Sequence, residues 1–440
     1  MDRSGADGKA ARFDRAAAAL EGLGAARPAA WTTWFVPGRL EVLGKHTDYA
    51  GGRSLLCAVE RGFCVIASPR DDSQLRIVDA ATTSVVSFEI DPDLQRQSGW
   101  ADYPATVARR MVRNFCATRG ADIAFESDLP PAAGLSSSSA LMIAVFLVLA
   151  EMNGLESLEL YRRTIRTRDD LAGYLATIEN GQTFGGLKGD AGVGTFGGSE
   201  DHTAILCCEP DHLAQYTFSP VCRERSVILP HEYTFVVGTS GITAEKTGAA
   251  RDSYNRTAAT ASRILELWRG ATGRADTSLA AAIASDANAS ERIRQIVRQS
   301  ADADWPSNRL LDRFEQFVQE SETIVPAVAD LFAAGHVEPI GALIDRSQEL
   351  AERLLGNQVP QTIALARSAR ALGATASSAF GAGFGGSVWA LIPAAGADAF
   401  ANRWADAYRR DFPDAAEAAQ FFITRPGPAA TKLSGGGESL

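Results

Sequence analysis

Five side chains able to grip a polar molecule crowd into the twelve-residue segment GRLEVLGKHTDY, Gly38 to Tyr49. They are Arg39, Lys45, His46, Asp48 and Tyr49. A guanidinium, an ammonium, an imidazole, a carboxylate and a phenol gathered after a short strand can hydrogen-bond a polyol from several sides. A second group follows at LPPAAGLSSSSA, Leu129 to Ala140. Its small residues run straight into an apolar helix. A helix start leaves backbone N–H groups unpaired and carries positive partial charge. Small side chains let a phosphate approach those groups, and serine hydroxyls can bond phosphate oxygens or a magnesium ion. The pattern is not a Walker-A loop, because no Lys-Ser/Thr pair follows the glycine. Its other reading is an ordinary serine-capped helix.

Elements of both periods are needed to position these groups. β-branched and aromatic runs predict strands at 31–36, 54–68, 75–90, 121–127, 203–208, 233–238, 388–392 and 419–424. Helical spacing appears at 101–117, 136–152, 156–179, through most of 245–355, and at 396–411. The glycine-dense stretch 181–199 reads as a loop, either a lid or an idle insertion. Strands and helices mix without regular βαβ alternation, which predicts an α+β fold rather than a doubly wound sheet. At 440 residues two domains are expected.

Net charge of −10 argues against general affinity for nucleic acid or anionic membranes. The apolar run Ala140–Ala150 is too short to cross a bilayer, which takes about 20 residues. The six cysteines lack zinc-like spacing and read as reduced core thiols of a cytoplasmic protein.

These strings resemble the motifs of the GHMP kinase superfamily. GRLEVLGKHTDY resembles the N-terminal signature of its galactokinase family, roughly GR-V-N-L-I-G-E-H-T-D-Y. The serine loop is similar to the superfamily's second motif, and GAGFGG at Gly381–Gly386 to its third. The resemblance implies a two-domain fold: an N-terminal ribosomal-protein-like α+β domain and a C-terminal ferredoxin-like split βαβ domain. The expected boundaries are a flexible tail at 1–27, the two domains at 28–225 and 226–425, and a disordered tail at 426–440.

The resemblance also implies roles. Gly134, Leu135, Ser136, Ser137, Ser138 and Ser139 would hold the phosphates of ATP. Ser138 and Glu179 would ligate Mg²⁺, whose preference for oxygen suits them. Galactokinases carry G-x-M-D-Q where this chain has Gly198-Ser199-Glu200-Asp201-His202, so Asp201 falls on the proposed catalytic base. A carboxylate there can take the proton that an acceptor hydroxyl loses. Arg39 would keep it ionised. His46, Asp48, Gly198 and Tyr254 would bind the sugar, and Gly383, Gly385 and Gly386 would form a loop over the site.

Two departures bear on the substrate: Glu41 replaces Asn and Lys45 replaces Glu. An ammonium cannot accept a hydrogen bond from a sugar hydroxyl. Lys45 therefore binds an anionic substituent, such as a uronic acid carboxylate or a phosphate, or serves a site built around a different hydroxyl pattern, or pairs with Glu41. Four strand residues span about 13 Å, so direct pairing needs a bend. The resulting expectation is an ATP- and Mg²⁺-dependent sugar kinase, monomeric, acting at the anomeric hydroxyl. The alternatives are a kinase of a uronic acid or other modified sugar or polyol, and a non-catalytic sugar and ATP sensor.

Overall fold

A computed structural model of the chain describes residues 3–25, 31–242 and 248–433. The first sheet is built on one long antiparallel pair, β1 (Thr32–Leu43) and β2 (Arg53–Pro69). Pro37-Gly38 interrupts the pairing with a register shift, and a second shift lies between Glu41 and Leu43. Such irregularities bend a strand and re-aim its side chains. They fall on either side of Arg39 and Glu41, where the strand approaches the polar turn. β3 (Gln74–Asp79), β4 (Val85–Glu89) and β5 (Ala121–Ser127) extend the sheet beyond the second half of β2. β6 (His212–Thr217) and β7 (Cys222–Ile228) extend it beyond the first half.

The helix Ser137–Met152 packs on β1, β2 and the helix Asp102–Phe115. Ala140 to Phe146 are all nine-tenths buried or more. A helix apolar all round belongs inside a protein, and here it fixes its serine-bearing N-terminus deep in the molecule.

The second sheet joins β8 (Tyr233–Thr239), β9 (Ala376–Phe380), β10 (Ser387–Pro393) and β11 (Phe421–Thr424) in the order β11-β8-β10-β9. All its pairings are antiparallel, and helices separate β8 from β9 and β10 from β11. This is the ferredoxin-like split βαβ arrangement. The whole is a two-domain α+β architecture, as expected.

Several expectations need correction. The run 203–208 is not a strand but the end of the helix Glu200–Cys207. Its apolar residues pack against β1, β2 and two helices, so burial rather than β-propensity decides their state. The first tail carries the helix Arg3–Gly22, with Ala16 and Leu20 buried against Ile66, Val78 and Ala124. Arg15 clamps Glu126 with two hydrogen bonds of 2.6 Å. The last tail returns as β12 (Thr431–Leu433), which pairs with β1, and Ala430 is buried beside it. Residues 434–440 of that tail lie outside the described residues. Cys116 and Cys222 are exposed, so only four of the six thiols are in the core.

Candidate active site

The turn after β1 sets the first wall. Gly44 and His46 take left-handed backbone conformations, and the Thr47 hydroxyl bonds Gly44 O (2.8 Å) and Arg53 O (2.7 Å). This folds the polar residues into a tight knot instead of a strand. Asp48 and Tyr49 then begin a single 3-10 turn. The knot borders a cavity of about 780 Å³. That is within the range of small-molecule sites and large enough for a nucleotide and a small acceptor.

Most of the expected site residues meet in this cavity. Arg39, His46, Asp48, Gly134, Ser136, Ser137, Ser138, Glu179, Gly198, Asp201 and Tyr254 all line it. They come from segments spread between positions 39 and 254. Gly381 and Ala382 complete the wall from the second sheet.

Arg39 ties the parts together. Its Nε donates to Asp201 Oδ1 at 2.7 Å, and its Nη1 donates to Gly134 O in the serine loop. Its backbone N–H donates to Leu135 O at 3.2 Å. Burial opposes the charge of this guanidinium. The carboxylates of Asp201, Glu200 and Glu41 outweigh that and raise its pKa, so it stays a cation. Asp201 itself sits in the first turn of an eight-residue helix, beside the start of the longer helix Ser137–Met152.

Ser139 differs from its neighbours. It does not line the cavity; its hydroxyl donates to Glu179 Oε2 at 3.0 Å and lies 3.5 Å from Asp201 Oδ2. The expected phosphate contact is therefore a bridge between two carboxylates. Glu179 also accepts from Thr195 Oγ1 at 3.3 Å, and His202 Nε2 lies 3.6 Å from it. Glu179, Asp201 and Ser138 supply oxygen donors on one side of the cavity, a set that suits a hard divalent cation.

Other expected residues are elsewhere. Leu135 is buried in the hydrophobic core behind the loop. Gly383, Gly385 and Gly386 stand behind Gly381 and Ala382 and anchor them: Phe384 N–H donates to Asn357 O at 2.6 Å and Gly386 N–H to Ile242 O at 3.0 Å. Ala382 O in turn meets His46 Nε2 at 2.9 Å.

Lys45 also turns away from the cavity. Only 1% exposed, it donates from Nζ to Ser347 Oγ at 3.0 Å. Backbone N–H groups of Gly44 and Lys45 point at Glu320 Oε1, 2.9 and 3.4 Å away. The ammonium is thus held within the protein on the Ser347 hydroxyl, not offered to an acceptor. Its charge still lowers the pKa of Glu41, which burial raises to about 6.

Glu41 and Glu200 were not singled out as site residues, yet both line the cavity and both are at least nine-tenths buried. Glu41 Oε2 accepts from Gly381 N–H at 3.2 Å; Glu200 Oε2 accepts from Ser54 Oγ at 2.7 Å. Burial, then the nearby Glu41 and Asp48, push Glu200 well above the usual carboxylate range. Burial pushes both carboxyls towards their protonated forms, Glu41 to about 6 and Glu200 well above the usual range. Glu41 Oε1 has no hydrogen-bond partner among the described residues. The signal for both was present in the motifs, as acidic residues where the galactokinase pattern has Asn and Met.

The chain matches three described families in order. They are the galactokinase galactose-binding signature at residues 23–69, the GHMP kinases N terminal domain at 98–198 and the GHMP kinases C terminal at 328–410. It is 28% identical over 377 residues to the galactokinase of Roseiflexus sp. (strain RS-1), covering 84% of this chain and 86% of that one. Against the galactokinase of Chloroflexus aggregans it is 28% identical over 374 residues, covering 83% and 84%. In fold it is similar to Lactococcus lactis galactokinase complexed with galactose. The TM-score is 0.75 at 21% identity, over 92% of this chain and 96% of that one. It is less similar in fold to a D-glycero-D-manno-heptose 1-phosphate kinase from Bacteriodes thetaiotaomicron, at a TM-score of 0.54 and 12% identity, over 92% and 99%. Among the described residues no helix is long and apolar enough to cross a membrane.

Proposed function

This chain belongs to the GHMP kinase superfamily, on its galactokinase-like side, and is an ATP-dependent kinase of a small sugar or polyol; we propose that its acceptor is a neutral monosaccharide phosphorylated at the anomeric hydroxyl. The observation that carries this reading is the Arg39–Asp201 pair, 2.7 Å apart, tied through Gly134 to the serine loop. It places a candidate base next to a candidate phosphate cradle in one cavity with His46, Asp48 and Tyr254.

In this reading the acceptor hydroxyl donates to Asp201 and its proton passes to that carboxylate as the new O–P bond forms. Arg39 fixes the carboxylate's direction. Phosphoryl transfer has a loose transition state, so this orientation matters at least as much as proton removal. The start of the helix Ser137–Met152, with Ser136 to Ser138, stabilises charge on the phosphoryl oxygens. Ser138 and Glu179 would hold Mg²⁺, which neutralises nucleotide phosphate charge when bound. Tyr254 presents a ring 5.3 Å from that of His46, a surface suited to a sugar face.

What supports a neutral acceptor is the balance of the cavity wall. Lys45 does not line it, whereas Glu41 and Glu200 do, and the arginines that line it, Arg39, Arg96 and Arg251, each lie beside an acid, Asp201, Asp102 and Asp252. Carboxyl groups in the wall favour hydroxyl donors over an acid sugar. Galactose is the first candidate, because the matched N-terminal segment is a galactose-binding signature.

The test is ADP release with Mg-ATP against galactose, glucose, arabinose, fucose, galacturonate, glucuronate and inositol, with the product's phosphate position read by phosphorus NMR. A neutral aldose giving a 1-phosphate is expected. Preference for galacturonate or glucuronate, or transfer to another hydroxyl, would overturn the reading.

A further inference from the structure

The loop Gly381–Ser387 borders two cavities. Gly381 and Ala382 line the one described above, while Phe384 lines a second of about 350 Å³. The second cavity lies against the helices Gly248–Thr272 and Ser307–Phe317. Arg256, Arg309 and Arg313 line it together with Trp305, and among the described residues no carboxylate does. In a chain of net charge −10, three guanidinium groups in a lining that holds no acid make a local positive field.

Arg313 is 3% exposed. Its Nη1 donates to Gln316 Oε1 at 2.5 Å, and its Nη2 donates to His46 O and, at 3.3 Å, to Tyr49 Oη. Its Nε has no acceptor among the described residues. A guanidinium carries five N–H donors, and leaving one buried without a partner is costly. Arg256 lies over the Trp305 ring, 4.8 Å from its centroid, with Nη2 donating to Asp304 O at 2.7 Å. Arg309 is exposed, with Asp312 Oδ2 4.0 Å from its Nη1. Planar, permanently charged donors match the oxygens of phosphates and carboxylates, and three of them together suit the higher charge of a phosphate.

We propose that this cavity is a second binding site, for a small phosphate-bearing anion, and that it communicates with the acceptor pocket through Arg313. One guanidinium serves both sides. An anion in the cavity beside Arg313 orients the guanidinium whose Nη2 holds His46 O and Tyr49 Oη, and Tyr49 Oη is 2.9 Å from His46 Nδ1. Occupancy therefore alters the acceptor wall and leaves the serine loop untouched. The two sites are linked by a shared residue, and the coupling is reciprocal.

The probe is inorganic phosphate, titrated calorimetrically into the full chain with the nucleotide site saturated by a non-hydrolysable ATP analogue. Citrate serves as the carboxylate comparison. One site is expected, weakened at least tenfold by Arg309→Glu and by Arg256→Glu, and retained in part by Arg309→Lys. Phosphate should shift the acceptor KM of the unaltered protein and not that of Arg309→Glu, whose kcat without phosphate stays unchanged. No binding once the nucleotide site is filled, or equal binding by both glutamate variants, would overturn the site. Binding of citrate but not phosphate would overturn the phosphate assignment. Because the titration reads binding directly, its result stands whichever acceptor the kinase uses.

Discussion

Asp201 and Glu200 are neighbours in one helical turn, yet their surroundings give them opposite work. Asp201 faces the cavity against Arg39 and is the proposed proton acceptor. Asp201→Asn should lower kcat by about 10²–10⁴-fold, the usual range for a general base. ATP affinity should stay nearly as it was in a direct binding titration. Unchanged turnover would remove Asp201 from that role. Glu200 is held neutral by burial beside Glu41. The sign of its effect on stability follows from linkage. A carboxyl protonated in the fold releases its proton on unfolding, so stability is greatest below the ordinary carboxylate range. It declines as pH rises through the folded values, about 6 for Glu41 and well above the ordinary carboxylate range for Glu200. Glu200→Gln keeps a neutral group of the same shape. Its melting temperature should match that of the unaltered protein near pH 4.5 and exceed it increasingly towards pH 8. An advantage independent of pH would refute the raised titration of Glu200.

At the scale of elements, glycines decide how closely segments can meet. A Cβ on Gly198 would lie 2.4 Å from Asp48 Oδ2 and 2.7 Å from Tyr49 N, so the loop before Asp201 packs on the polar knot only without a side chain. Gly198→Ala should therefore displace Asp48 and reduce kcat/KM for the acceptor by roughly tenfold to hundredfold. Its effect on the KM for ATP should be small, and an equal rise in both constants would contradict this. Gly383 combines φ of +77° with a would-be Cβ 2.3 Å from Asn357 O. Gly383→Ala should cost about 1–3 kcal/mol by denaturant titration, because strain and contact act together. The π-helical stretch Val318–Ile324 is another positioning element. It brings Glu320 to the Gly44 and Lys45 N–H groups and Ser321 Oγ to Arg53 N, 2.9 Å away. Such widened turns redirect side chains that a regular helix would send elsewhere.

On the scale of the whole molecule, both chain ends brace the first sheet. β12 pairs with β1, Lys432 Nζ lies 2.9 Å from Glu151 Oε1, and Ala430 is 1% exposed. Truncation after Pro428 should lower the melting temperature by on the order of a few degrees while acceptor KM is retained. Identical melting would show that this strand adds nothing. The second sheet closes the cavity by carrying Gly381 and Ala382 to His46 and Glu41. The candidate site is thus an interface between the two halves, a common location for small-molecule sites.

The sequence by itself determined the family, the α+β class and most of the cavity wall. The class was legible in the mix of strands and helices, while the family and the places of Asp201, Glu179, Gly198 and Tyr254 were legible through the resemblance of short motifs to a known superfamily. The Gly-Arg turn and the serine loop opening an apolar helix are readable because neighbouring residues dictate the backbone or the charge. Only the tertiary structure decided the fate of Lys45, Ser139, Glu41 and Glu200. Their partners, Ser347, Glu179, Gly381 and Ser54, are 302, 40, 340 and 146 positions away. It also turned the apolar run at 203–208 into a helix and folded both expected tails onto the sheet. A charged side chain is drawn to whatever opposite charge or polar group burial leaves beside it. That neighbour is set by packing across the chain, and spacing along it cannot reveal which one it will be.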